Sequence, residues 1–213
     1  MSELYLIAEI GGSTPDSDRA RIAAALGAAS IPSVLLRPVP GGTLEAGRVK
    51  PLVEQVQAKG IAALVADDAE LARVVRADGV HLSWSKDQPG RMTEAREILG
   101  GRYMLGADAG RSRDDAMTLG EMGADYVGFG IPPHVEDRAT AFARQCDLLS
   151  WWAEIFEPPC IALDVPDAEA AGHAARANAD FVSVTLGPEM TPEDAAALVK
   201  TFSIAIGSAK IPA

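Results

Sequence analysis

Three four-residue segments of this chain carry one pattern: Ala77-Asp78-Gly79-Val80, Ala124-Asp125-Tyr126-Val127 and Ala179-Asp180-Phe181-Val182. Each closes an Ala-rich stretch of helical periodicity and opens a short run of β-branched and aromatic residues. The aspartates recur after 47 residues, from 78 to 125, and after 55, from 125 to 180. That is about twice the length of one β/α unit, so the pattern marks every second unit. The fourth, sixth and eighth strands of an eightfold barrel are spaced in this way. The predicted fold class is α/β, a single (β/α)8 TIM barrel occupying residues 1–213 as one domain.

The rest of the chain agrees with that reading. Strands are predicted over 4–8, 32–37, 61–66, 79–82, 103–106, 126–130, 160–164 and 181–185. Most are apolar at successive positions, as parallel strands covered on both faces must be. Helical patterns fill 16–29, 45–59, 68–76, 90–99, 111–122, 137–154, 166–178 and 191–202. Thr14-Pro15-Asp16, Thr43 with Glu45, and Thr191-Pro192-Glu193-Asp194 read as helix starts, and Gly27, Gly60 and Gly100 as stops. Ile10-Gly11-Gly12-Ser13 is a short glycine turn without the G-x-G-x-x-G spacing, so dinucleotide binding is not expected. The loops Pro38-Val39-Pro40-Gly41-Gly42 and Ile131-Pro132-Pro133-His134 follow strands, on the face where barrels carry their chemistry.

Charge and cysteine usage narrow the function further. The net charge of −11 argues against nucleic acid and anionic membrane as partners, since both demand basic surface. A small phosphorylated substrate, which needs only local donors, stays open. Cys146 and Cys160 lack metal-ligand spacing and a disulfide framework, and fit a reducing compartment. Met1-Ser2-Glu3-Leu4 has no basic region or long apolar run, so neither a signal peptide nor a membrane span is expected. The expectation is a cytoplasmic protein. Trp151, Trp152 and Phe156 are expected to pack the sixth helix against the barrel or against a second copy in a homodimer.

At the strand ends the candidate chemistry collects. Arg37 ends the second predicted strand, Asp67 and Asp68 follow the third, and Asp87 lies in the loop after the fourth. A guanidinium grips a diphosphate bidentately, and two carboxylates from neighbouring strand ends can hold Mg²⁺ against it. The competing reading is structural, with Asp67-Asp68 capping a helix and Arg37 in an ion pair. Spacing alone leaves both open.

The segment from Ala66-Asp-Asp-Ala-Glu-Leu-Ala to Ala77-Asp-Gly-Val-His-Leu82 resembles the thiamine-phosphate synthase family, which has Asn-Asp-Arg-x-Asp-Leu-Ala and Ala-Asp-Gly-Val-His-Leu-Gly-Gln there. Gly123-Ala-Asp-Tyr-Val-Gly-Phe-Gly130 is similar to its sixth-strand signature, and Val34-Leu-Leu-Arg37 to its Val-Gln-Leu-Arg-x-Lys. The resemblance implies that hydroxymethylpyrimidine diphosphate loses pyrophosphate and thiazole phosphate captures the pyrimidine cation. By resemblance Arg37 contacts pyrophosphate, Asp67 and Asp87 hold Mg²⁺, and His81, Gly130, Thr185 and Gly187 bind substrate.

Departures from the family pattern gather at the ligand end. Val39 stands where the family has Lys, Ala66 and Asp68 where it has Asn and Arg, and Ser83-Trp84 where it has Gly-Gln. No Thr-x-Thr-Lys clamp follows the sixth strand, and Leu163-Asp164 replaces a Gly-Gly that approaches phosphate. His134 resembles the acid/base His of the related thiazole tautomerases, offset by three residues. Three readings therefore stand: a transferase through Arg37, an isomerase through His134, and a non-catalytic binding barrel.

Overall fold

The computed structural model describes residues 2–12, 14–132 and 134–209; Met1, Ser13 and Pro133, which belong to segments read above, lie outside them. Strands and helices alternate throughout. In order they are β1 (Glu3–Ile10), α1 (Pro15–Ala28), β2 (Ser33–Pro38), α2 (Ala46–Gln57), β3 (Ala62–Ala66), α3 (Ala69–Val75), β4 (Gly79–Leu82) and α4 (Gln88–Leu99). There follow β5 (Met104–Asp108), α5 (Arg113–Glu121), β6 (Tyr126–Phe129), α6 (Arg138–Ile155), β7 (Cys160–Ala162), α7 (Ala168–Arg176), β8 (Phe181–Leu186) and α8 (Pro192–Ser208). The strands form one closed sheet in sequence order, every pair parallel, with β8 returning to β1. The α/β barrel read from the repeat is therefore the fold.

Closure sorts the strand residues into two cores. Tyr5, Ile7, Leu35, Leu64, Tyr126 and Ile161 belong to a cluster that no helix residue joins, which is the barrel interior. The alternate residues, such as Leu4, Leu6, Val34 and Val65, pack outward with the inner faces of the helices. This two-sided burial is why the strands read as unbroken apolar runs. Gly106 is required by the interior: a Cβ there would lie 1.9 Å from the ring of Tyr126, which lies across β5.

The repeated aspartates each make the same paired contact. Asp78 donates its N–H to the Ala63 carbonyl (2.7 Å), while its carboxylate accepts the Ala63 N–H (2.7 Å). Asp125 does this to Leu105 (2.9 and 2.7 Å), and Asp180 to Cys160 (3.1 and 2.9 Å). Each even strand is thus stitched at its start to the odd strand before it. The carboxylate meets an N–H that the staggered sheet edge would otherwise leave unpaired.

Several boundaries differ from expectation. β5 runs to Asp108 rather than stopping at 106, and β7 ends at Ala162 because Asp164 takes a left-handed backbone (φ 54). Gly27 sits inside the last turn of α1 instead of ending it, and Glu45 rather than Thr43 precedes α2, with no side-chain cap bond. The Thr14 and Thr191 caps stand as read, each hydroxyl accepting an N–H at 3.1 Å. Trp152 is buried and stacks on Phe156 (centroids 4.2 Å apart), while His173 is exposed on α7. Cys160 is buried, its thiol pushed up to about 12 by burial. Among the described residues no helix is long and apolar enough to cross a membrane.

The stitches predict a graded response. Asp180→Ala strands the Cys160 N–H and should cost about 1–3 kcal/mol in urea unfolding, whereas Asp180→Asn, which keeps an acceptor, should cost clearly less.

Candidate active site

Parallel closure gathers all strand C-termini at one end of the barrel. There a cavity of about 240 Å³ opens, floored by Ile7, Leu35 and Leu163 from the interior face. Its polar lining is Arg37, His81, Ser83, Asp108 and Asp164, with Trp84 at one side.

Arg37 is the last inward-facing residue of β2 and pairs with Glu9 on β1 at 2.8 Å. Both are partly exposed, 31% and 17%, so water screens the pair and the guanidinium keeps open donors. Behind them lies a buried brace. Arg21, 1% exposed, donates to the carbonyls of Glu9 (2.7 Å) and Gly187, and pairs with fully buried Asp18 at 2.9 Å. The second oxygen of Asp18 takes Arg48 at 2.6 Å. One side-chain network from α1 and α2 thus sets the ends of β1 and β8 together. Burial pulls the Arg21 guanidinium below its ordinary range, opposed by the nearby carboxylates.

His81 ends β4 inside the barrel. Its Nδ1 lies 3.1 Å from the Tyr126 hydroxyl, which meets the Tyr5 hydroxyl at 2.8 Å. Burial lowers the imidazole to about 4, so the ring is neutral at physiological pH. The same desolvation raises both tyrosines, Tyr5 beyond the range in which it ionises in water. This is a fixed polar stack beneath the mouth.

Asp67 is placed differently from its expected role. Its Oδ1 accepts the Ser83 N–H (2.8 Å) and Arg91 Nη2 (2.6 Å), and its Oδ2 accepts the Ser83 hydroxyl (2.7 Å). Burial alone would raise this carboxyl, but the Arg91 and Ser83 donors outweigh it and hold it below its ordinary value. Asp68 caps α3 through the Leu71 N–H, and Asp87 caps α4 through the Gly90 N–H at 3.3 Å. Mg²⁺ needs carboxylate oxygens free to coordinate. Asp67 instead has a donor on each oxygen and its charge met by Arg91, so this pair does not fit the divalent cation that the resemblance implies.

The remaining expected residues separate into two groups. Thr185 stands inward on β8 beside Ile7, and Gly187 follows with open space around it and its carbonyl held by Arg21. The Gly130 amide is spent on Asp108 (3.1 Å), and a Cβ at 130 would lie 2.5 Å from Asp108 Oδ2 and 3.1 Å from Asp164 Oδ2. Glycine there lets two carboxylates converge. Val39 packs on the Gly11 turn and does not line the cavity. His134 is exposed in the loop after β6 and does not line the cavity.

Asp108, Glu9 and Arg91 were not singled out from the sequence. Asp108 Oδ1 accepts the Gly110 (2.7 Å) and Gly130 (3.1 Å) amides, leaving Oδ2 without a partner among the described residues. Burial pushes this carboxyl up to about 7, aided by neighbouring Asp164 and opposed by the two amides. The available signal is its place at a strand end, hidden because the run Tyr103–Gly106 predicts a strand that stops two residues short of it.

The pH dependence of stability follows. Asp108 holds its proton in the fold between the ordinary carboxylate value and about 7, where the unfolded chain has lost it. Stability from this group is complete below pH 4 and is lost as pH rises through 7. Asp108→Asn should therefore be more stable than wild type above pH 7, by on the order of 2–4 kcal/mol, and the gain should shrink toward pH 4 in denaturant titrations.

A family model described as thiamine monophosphate synthase matches residues 4–187. A thiamine-phosphate synthase of Erythrobacter litoralis is 36% identical over 168 residues, covering 78% of this chain and 76% of that protein. Another, from Rhodospirillum centenum, is 37% identical over 150 residues, 70% of each chain. The solved thiamine phosphate pyrophosphorylase from Pyrococcus furiosus superposes with a TM-score of 0.74 at 19% identity, covering 98% of this chain and 97% of that one, a likeness of fold.

Proposed function

The chain belongs to the thiamine monophosphate synthase family, and from that premise we propose that it is a thiamine-phosphate-synthase-like transferase of thiamine biosynthesis. Its substrates in this reading are small and phosphorylated: hydroxymethylpyrimidine diphosphate, which releases pyrophosphate, and thiazole phosphate, whose nitrogen takes the pyrimidine methylene. One observation carries it. Arg37, the strand-end guanidinium of the family motif, stands at the cavity rim with donors free beyond Glu9.

In this reading Arg37 receives the diphosphate and meets the negative charge that builds on it as it leaves. Pairing with Glu9 keeps the guanidinium from folding away, so little ordering is needed when substrate arrives. Thr185 and the Gly187 amide supply donors for the second phosphate on the opposite edge of β1. His81, neutral and tied to Tyr126, orients the ring without adding charge. No step in this reading is routed through Mg²⁺, which the Asp67–Asp87 pair does not fit. His134, outside the cavity lining, has no part in this reading.

The test is formation of thiamine phosphate by the purified chain from the two precursors, with and without added Mg²⁺. Product is expected, and Arg37→Ala should lower kcat/KM about 100-fold, with partial recovery in Arg37→Lys. Absence of product under both conditions overturns the proposal.

A further inference from the structure

Positive charge gathers at the other end of the barrel, where the strands begin. There a cavity of about 520 Å³ opens between the end of α3 and the turn from α4 into β5. Arg73, Arg76 and Arg102 line it, together with Ala77, Asp78 and Tyr103. Three guanidiniums against one carboxylate make this wall positive in a chain whose net charge is −11. The carboxylate is already engaged: Asp78 Oδ2 accepts the Ala63 N–H (2.7 Å) and the Gln57 amide (3.1 Å).

The backbones that carry these arginines are fixed while their side chains are left open. Arg73 meets Glu70 at 2.6 Å, but both side chains are more than half exposed, so water screens the pair. Arg76 and Arg102 are exposed, and their guanidiniums donate to no described residue. Gln57 donates to the Arg76 carbonyl at 2.9 Å. Arg96 donates to the carbonyls of Gly100 (3.2 Å) and Tyr103 (3.0 Å), bracing the turn that holds Arg102. Arg76 also has a left-handed backbone (φ 60, ψ 41). Where α2, α4, α5 and α7 turn with a positive φ, the residue is Gly60, Gly100, Gly123 or Asn178. Only after α3 does a long charged residue take that strained position. The α3 dipole does not require it, since Arg73 already places a cation in the last turn.

We propose that this cavity is a binding site for the phosphate chain of a small polyanion, separate from the mouth and independent of the transferase reading. Each guanidinium is a planar fork that takes two phosphate oxygens at once. Arg73 on α3, Arg76 just past it and Arg102 on the α4–β5 turn line one concavity, so successive phosphates of a chain can each meet a fork. Without an anion the three like charges repel one another, and a bound polyanion turns that repulsion into attraction. Ala77 and half-buried Tyr103 add apolar wall and no further charge. Inorganic polyphosphate and a nucleoside polyphosphate share the chemistry that this lining recognises.

Because Arg37 also offers donors to phosphate, the test titrates inorganic tripolyphosphate by calorimetry into the intact Arg37→Ala chain, without divalent cations. One site per chain is expected to remain. Arg76→Gly and Arg102→Ala, each added to that background, should weaken it about tenfold, the loss of one charge-assisted contact. Arg76→Gly also relaxes the left-handed turn, so with no anion present its urea midpoint should rise above that of Arg37→Ala. That rise separates lost binding from lost folding. ATP that binds with the same dependence on Arg76 and Arg102 assigns the site to nucleoside polyphosphates. ATP that fails where tripolyphosphate binds assigns it to the inorganic chain. No binding to Arg37→Ala, or binding that both substitutions leave unchanged, overturns the inference.

Discussion

The double contact made by each repeated aspartate sets the register on which everything above it depends. With N–H and carboxylate both tied to one residue of the preceding strand, Asp78, Asp125 and Asp180 leave their strands one position to occupy. In a parallel sheet a slip of one residue would turn every side chain to the other face. Tyr126 would then leave the interior, and the groups at the strand ends would point into the helical layer. The stitches lie at the far end of the barrel from the chemistry and act on it through side-chain parity.

From that register the mouth is built by geometry and then held by polar contacts. Glu9 and Arg37 sit side by side because they are register partners on β1 and β2. Arg21 ties the backbone of Glu9 to that of Gly187, so the ends of β1 and β8 move together. Arg91 and Ser83 hold Asp67, latching the turn after β3 to the loop after β4. Only the Arg21–Asp18 pair among these is fully buried; such a pair adds little net stability, since desolvation offsets its attraction, but a broken partner leaves a costly unpaired group. Their effect is to give the mouth one arrangement of charge.

Much of the fold was legible in the chain, because apolar runs on both faces and Ala-rich helices are local signals that survive without tertiary context. Arg37, His81, Thr185 and Gly187 were legible as strand-end residues and lie at the barrel mouth. Asp67 and Asp87 were legible as acids near strand ends, but their engagement by Arg91 and by the α4 N-terminus was not. Arg91 is 24 residues from Asp67, and nothing local couples them. Asp108 escaped notice because Ala107-Asp108 looks like the start of a loop until pairing with β6 extends the strand.

By itself, then, the sequence determined the barrel, the order of its strands and the end at which ligands are met, since each follows from periodicity and local propensity. Only the tertiary structure decided which charges share the mouth and with what sign. Closing the ring sets β2 opposite β6, bringing Arg37 to face two carboxylates that are 56 residues apart, at 108 and 164. Distance along the chain carries no information about that approach. Burial, which moves Asp108 toward neutrality and keeps His81 uncharged, exists only once the barrel has closed around them.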